Sequence, residues 1–145
     1  MTRRISTLVL LIAWLSAPAV GALGVEIRLG EPFDVHVDQT ATLTGEGLDV
    51  GFTDVVSDSR CPRDAQCFWQ GAAVVRLSVE KAPDRGQTFT VRVPSESATV
   101  TYGSYSVSIL DLKPYPETSR PQRREDYVVT VVVTRPEKPG AKTDP

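Results

Sequence analysis

The chain has 145 residues, 41% of them hydrophobic, with 16 basic residues against 18 acidic and one histidine. That length and apolar content suit a single domain able to bury its own core. A net charge of −2 argues against nucleic acid and anionic membrane surfaces as partners, since phosphate rewards a net positive face.

The chain opens with Thr2-Arg3-Arg4, an apolar run from Ile5 to Leu15, and small residues from Ser16 to Ala22. Charge, run length and small residues together read as a signal peptide over 1–22, with cleavage after Ala22 and Ala17-Pro18-Ala19 as a second choice. The run is short for a membrane span. General secretion fits better than the twin-arginine route, because the residues after Arg3-Arg4 do not suit that signal. Cleavage removes two arginines and no acid, leaving 14 basic against 18 acidic residues, a net of −4, with no membrane anchor. The expected location is periplasmic or secreted.

From Leu23 onward the apolar period is two. Phe33, Val35 and Val37 alternate with Asp34, His36 and Asp38, predicting a strand from Pro32 to Val37. Thr40 to Thr44 is a short strand ended by Gly45-Glu46-Gly47, and Leu48, Val50 and Phe52 face one way, with Asp49, Gly51 and Thr53 the other, on a strand reaching about Val56. Ala72 to Glu80 follows, then a turn at Pro83-Asp84-Arg85-Gly86 and a strand from Thr88 to Val93. Ala98, Val100 and Tyr102 precede Gly103-Ser104, after which Tyr105, Val107 and Ile109 alternate until the parity flips at Leu110, predicting a bulge. Lys113 to Asp126 has the composition of a mobile loop. Tyr127 to Thr134 is apolar on nearly both faces and belongs at the centre of a sheet. Arg135 to Pro145 reads as a disordered tail. The domain is therefore 23–134, an all-β, immunoglobulin-like sandwich of about seven strands, with a small β-barrel as the alternative.

Between two of these strands lies Ser57 to Gln70, which holds both cysteines. Cys61 and Cys67 are too far apart for a C-x-x-C pair and too few for a four-ligand zinc site, so a disulfide inside the loop is the simplest reading. It requires an oxidising compartment. Asp58 is placed to accept the loop's N–H groups or to pair with Arg60 or Arg63, and Asp64 to accept nearby amides. Trp69 opens an alternation running through Gly71, Ala73, Val75, Leu77 and Val79, which predicts its ring in the core beside the disulfide.

The pattern D-S-R-C-P-x4-C-x-W-x-G, from Asp58 to Gly71, resembles the signature of an uncharacterised family of small exported bacterial proteins, many of them lipoproteins. The likeness extends to Ala72-Ala73, to Leu112-x-Pro114-x-Pro116 and to the valine strand begun by Tyr127, covering Leu43 to Val133. It implies export and a compact β domain, and brings no catalytic residues. This chain departs from the lipoproteins in lacking a cysteine near the cleavage site, so no lipid anchor follows.

No hydrolase constellation is legible around His36, and no serine sits in a nucleophile elbow. Asp34, His36 and Asp38 share a strand face, but successive members stand about 6.6 Å apart along the backbone, wide for one ion. Neither metal nor cofactor is expected. Arg120, Arg123 and Arg124 are diluted by Glu117, Glu125 and Asp126 and read as a solvated loop. The expectation is a non-enzymatic module that binds a protein or envelope component through its stapled loop, with Arg60, Pro62, Arg63, Asp64 and Phe68 as contacts and Asp58 and Trp69 structuring the loop. The alternative is a protease inhibitor presenting residues 60–68.

Overall fold

Side chains that alternate on an extended backbone put every second residue on one face, and here that face is buried. The computed structural model describes residues 27–94 and 98–136, so the expected signal peptide, and the expected tail from 137 onward, lie outside the described residues. Eight strands form: β1 (Phe33–His36), β2 (Gln39–Leu43), β3 (Leu48–Asp58), β4 (Ala73–Lys81), β5 (Gln87–Val93), β6 (Thr99–Tyr102), β7 (Tyr105–Lys113) and β8 (Val128–Thr134). They make two four-stranded antiparallel sheets, ordered β2-β3-β4-β5 and β1-β8-β7-β6. The two-layer architecture is the one expected, with eight strands rather than about seven, and the sheets are not closed into a barrel. Neighbouring strands are consecutive in sequence except β1 and β8.

The core is what the alternation dictates. Leu48, Val50 and Phe52 of β3, Val75, Leu77 and Val79 of β4, and Val129, Val131 and Val133 of β8 are all fully buried. Each such side chain contributes about 1.5–3 kcal/mol relative to exposure. β8 lies between β1 and β7, as its two apolar faces required. The expected bulge is present: Ile109 pairs with Val131 and Asp111 with Thr130, so Leu110 has no opposite number and is exposed. That extra residue returns Leu112 to the core.

The chain crosses between sheets within two residues. Val37 N–H donates to Tyr127 O at 3.0 Å in one sheet, and Asp38 N–H donates to Phe52 O at 2.7 Å in the other. Asp38 takes φ 63°, a left-handed turn that aspartate tolerates better than most residues. The β1–β2 turn, the β3–β4 loop and the β7–β8 loop thereby gather at one end of the sandwich. At the other end Tyr105 is buried between two cations, Lys81 and Arg135, each about 5 Å from its ring, and its hydroxyl donates to Glu46 at 2.6 Å. Arg135 also bonds Glu46 at 2.5 Å, so the residue expected to open the tail is anchored.

Candidate functional site

The β3–β4 loop begins at Asp58 and is rooted by one ion pair. Arg60 donates from Nε to Asp58 Oδ1 at 2.9 Å and from Nη2 to Oδ2 at 2.6 Å, and its backbone N–H reaches Oδ1 at 3.1 Å. Both side chains are withdrawn from solvent, 3% and 7% exposed. A buried pair is stable only when its remaining polar groups are also satisfied. Arg60 meets that condition by donating to Leu112 O at 2.6 Å, at the end of β7, and to Pro114 O at 2.9 Å, at the start of the β7–β8 loop. Tyr115 lays its ring against the guanidinium, 4.9 Å from Cζ to the centroid. Asp58 completes its shell with Tyr127, whose hydroxyl lies 3.0 Å from Oδ2 and 2.6 Å from Gln122 Oε1.

This geometry sets the electrostatics. Burial pushes the Asp58 carboxyl up, but hydrogen bonds from Arg60, its charge and the Tyr127 hydroxyl more than offset that and hold it below the ordinary carboxylate value. The Tyr127 phenol is pushed up to about 12, chiefly by burial and then by the Asp58 carboxylate beside it.

Above this root the loop is closed by the expected disulfide, Cys61–Cys67, with 5.8 Å between Cα atoms. A turn inside the ring has Ala65 N–H donating to Pro62 O at 3.1 Å. Two further ties cross to the β7–β8 loop: Arg63 N–H donates to Pro116 O at 3.0 Å, and the Asp64 carboxylate accepts both the N–H and the hydroxyl of Thr118. Those Thr118 bonds, hydroxyl first, lower the Asp64 carboxyl. Arg63 also covers the Tyr115 ring at 5.2 Å. The segment whose composition suggested a mobile loop is therefore pinned to the stapled loop along much of its length. Arg124 pins it too, bonding Asp38, Asp54 at 3.2 Å and Thr53 O at 2.8 Å, rather than standing as a solvated cation. Asp38 is thus a partner of Arg124, while Asp34 accepts from Thr130 at 2.5 Å.

Two expectations are corrected. Arg60, expected among the contact residues, is 5% exposed and holds the loop from inside. Trp69, expected in the core, is 78% exposed. The cause is Gly71, which takes φ +67° beneath the Ser59 carbonyl and ends the extended run, so the parity of β4 does not reach back to Trp69. Phe68 is 93% exposed and meets Trp69 edge to face, 5.4 Å between centroids. Of the expected contacts, Arg63, Asp64 and Phe68 are exposed and Pro62 is half-buried. Tyr115, Thr118 and Tyr127 belong to the site without having been singled out as site residues. The prolines flanking Tyr115 were the available signal for a fixed ring.

Fold and site define a class: an all-β sandwich with a disulfide-closed loop rooted by a buried ion pair. In comparisons with protein-family models, curated proteins and solved structures, nothing matches this chain. Among the described residues no helix is long and apolar enough to cross a membrane.

Proposed function

We propose that the protein is an exported, non-enzymatic β module, periplasmic or secreted, that binds a protein or cell-envelope component through the stapled loop. The observation that carries this reading is the pair Phe68–Trp69, 93% and 78% exposed on a loop held by a disulfide and a buried ion pair. Large aromatics left in water cost burial that the core could have used, and a pre-ordered loop lowers the entropy lost on contact. Aromatic anchors of this kind dominate recognition surfaces. Export is supported by the signal-like first 22 residues, by the disulfide and by the resemblance to small exported bacterial proteins. The inhibitor reading has less support, because residues 62–65 form a closed turn rather than an extended strand and Arg60 is turned inward.

A photo-crosslinking residue placed at Phe68 in the exporting cell tests the reading. A discrete adduct is expected there, lost when Trp69 is replaced by alanine, and absent when the crosslinker sits at exposed Thr88 on β5. No adduct at 68, or equal adducts at 68 and 88, would contradict it.

A further inference from the structure

Charge is unevenly spent around the stapled loop. Asp58 and Arg60 neutralise each other beneath it, and Asp64 turns both carboxylate oxygens to Thr118. Arg63 is exposed, and among the described residues no carboxylate forms an ion pair with it. Its guanidinium lies instead against the half-buried Tyr115 ring, 5.2 Å from Cζ to the centroid, while its N–H donates to Pro116 O at 3.0 Å. Stacking holds the cation in place without neutralising it, and leaves the N–H fork at the guanidinium edge available to a carboxylate. The cation also shares a patch with the aromatic pair. Cys61 and Cys67 are 5.8 Å apart, so at 3.8 Å per residue the Cα atoms of Arg63 and Phe68 are separated by no more than about 17 Å. That fits inside the ~800 Å² that each partner of an ordinary protein complex buries. Trp, Tyr and Arg are the residue types that carry most binding energy in such complexes, and Trp69, Tyr115 and Arg63 are all held here by the loop's ties.

We propose, with the loop's recognition role as premise, that its partner is a protein surface that sets a carboxylate beside an apolar pocket. The pocket takes Phe68 and Trp69, and the carboxylate closes a forked, charge-assisted pair with Arg63. Arg63 is then the residue that selects among partners: an apolar pocket flanked by a cation would meet like charge and be rejected. Two other occupants fit less well. The Phe68 and Trp69 planes meet at 63°, so they do not make the flat platform on which a sugar ring stacks. Recognition of anionic lipid draws on clusters of about four to eight cations, whereas this patch offers Arg63 on a chain of net charge −2.

The photo-crosslink at Phe68 in the exporting cell tests it, with the adduct sequenced by mass spectrometry. Arg63→Glu is expected to lower the adduct yield ~10-fold or more, and Arg63→Met, which keeps the stem without the charge, ~3-fold or more. Arg92→Glu makes the same charge change at an exposed position of β5 and is expected to leave the yield unchanged. The crosslinked partner segment should carry an Asp or Glu within a few residues, and changing that residue to Arg should restore the yield with Arg63→Glu. Equal yields from the native chain and Arg63→Glu overturn the role of Arg63 and leave the loop's recognition role standing. Failure of the native chain to form any adduct contradicts the recognition role itself, and the proposal with it. An adduct to a second copy of the chain, or to a segment without a carboxylate, also overturns the proposal. Should Arg63→Glu fail to accumulate, Arg63→Met decides: a yield equal to the native one overturns it.

Discussion

Arg60 and Asp58, two residues apart, lie fork to fork at the root of the stapled loop, and the guanidinium also donates to two carbonyls more than fifty residues away, at the end of β7 and the start of the loop that follows it. One side chain thus ties the β3–β4 loop to the β7–β8 loop. Asp58→Ala leaves Arg60 charged and buried without its partner, and should lower unfolding free energy by about 3–5 kcal/mol. Arg60→Met should cost a similar amount, because Asp58 is then the orphan. Denaturant unfolding of both single variants and the double should show strong coupling, the double losing less than the two singles together.

The same pair sets an acid limit. The Asp58 carboxyl is lower in the fold than its unfolded value of about 3.9, so its contribution is present above that value and is lost as pH falls through the lower folded one. Asp38, Glu46, Asp64 and Asp126 are lowered too, and all add to the acid limb. A difference measurement isolates Asp58: the stability gap between the native protein and Asp58→Asn should shrink as pH falls from about 5 to about 2. A gap that stays constant over that range would assign the pair no role in acid unfolding.

Tyr127 supplies an alkaline counterpart. Its phenol is raised to about 12, so its contribution holds below the unfolded value of about 10 and is lost as pH rises through about 12. Ultraviolet titration should show a tyrosine ionising near 12. Tyr127→Phe should remove that step and, with it, the hydroxyl that faces Asp58.

Trp69 marks where reading by parity stops. Strand positions were legible because burial follows a period of two wherever the backbone stays extended; even the Leu110 bulge appeared as a change of phase. Gly71 breaks the extension, and nothing in the alternation of Ala73, Val75 and Leu77 announces it. Asp58 and the disulfide were legible because their partners are close in sequence. The inward turn of Arg60 was not, since its other acceptors, Leu112 O and Pro114 O, arrive only with the tertiary fold. In a chain prepared without residues 1–22, Trp69 is the sole tryptophan, so its emission should be that of a solvated indole, readily quenched by iodide. Trp69→Ala should change stability by no more than ~0.5 kcal/mol, as for a surface residue.

Gly71 and the Cys61–Cys67 bridge hold the same loop, and their removal should differ in scale. A Cβ at Gly71 would lie 1.8 Å from the Ser59 carbonyl oxygen, with the backbone already at φ +67°. The atoms that the Cβ would meet, in Ser59 and Arg60, are all main chain, so no side chain can move aside. Gly71→Ala should therefore cost at least ~3 kcal/mol, or prevent folding. Replacing both cysteines by serine opens only a short ring, which removes about 2 kcal/mol in the chain-entropy account. The loop then still has the Arg60 root, the Arg63 N–H bond to Pro116 and the Asp64–Thr118 pair to hold it. Unfolding curves should rank Gly71→Ala below the double-serine variant, and the latter should keep the native Trp69 emission. A double-serine variant less stable than Gly71→Ala would make the disulfide, rather than the ion pair and the glycine, the chief determinant of the loop's shape.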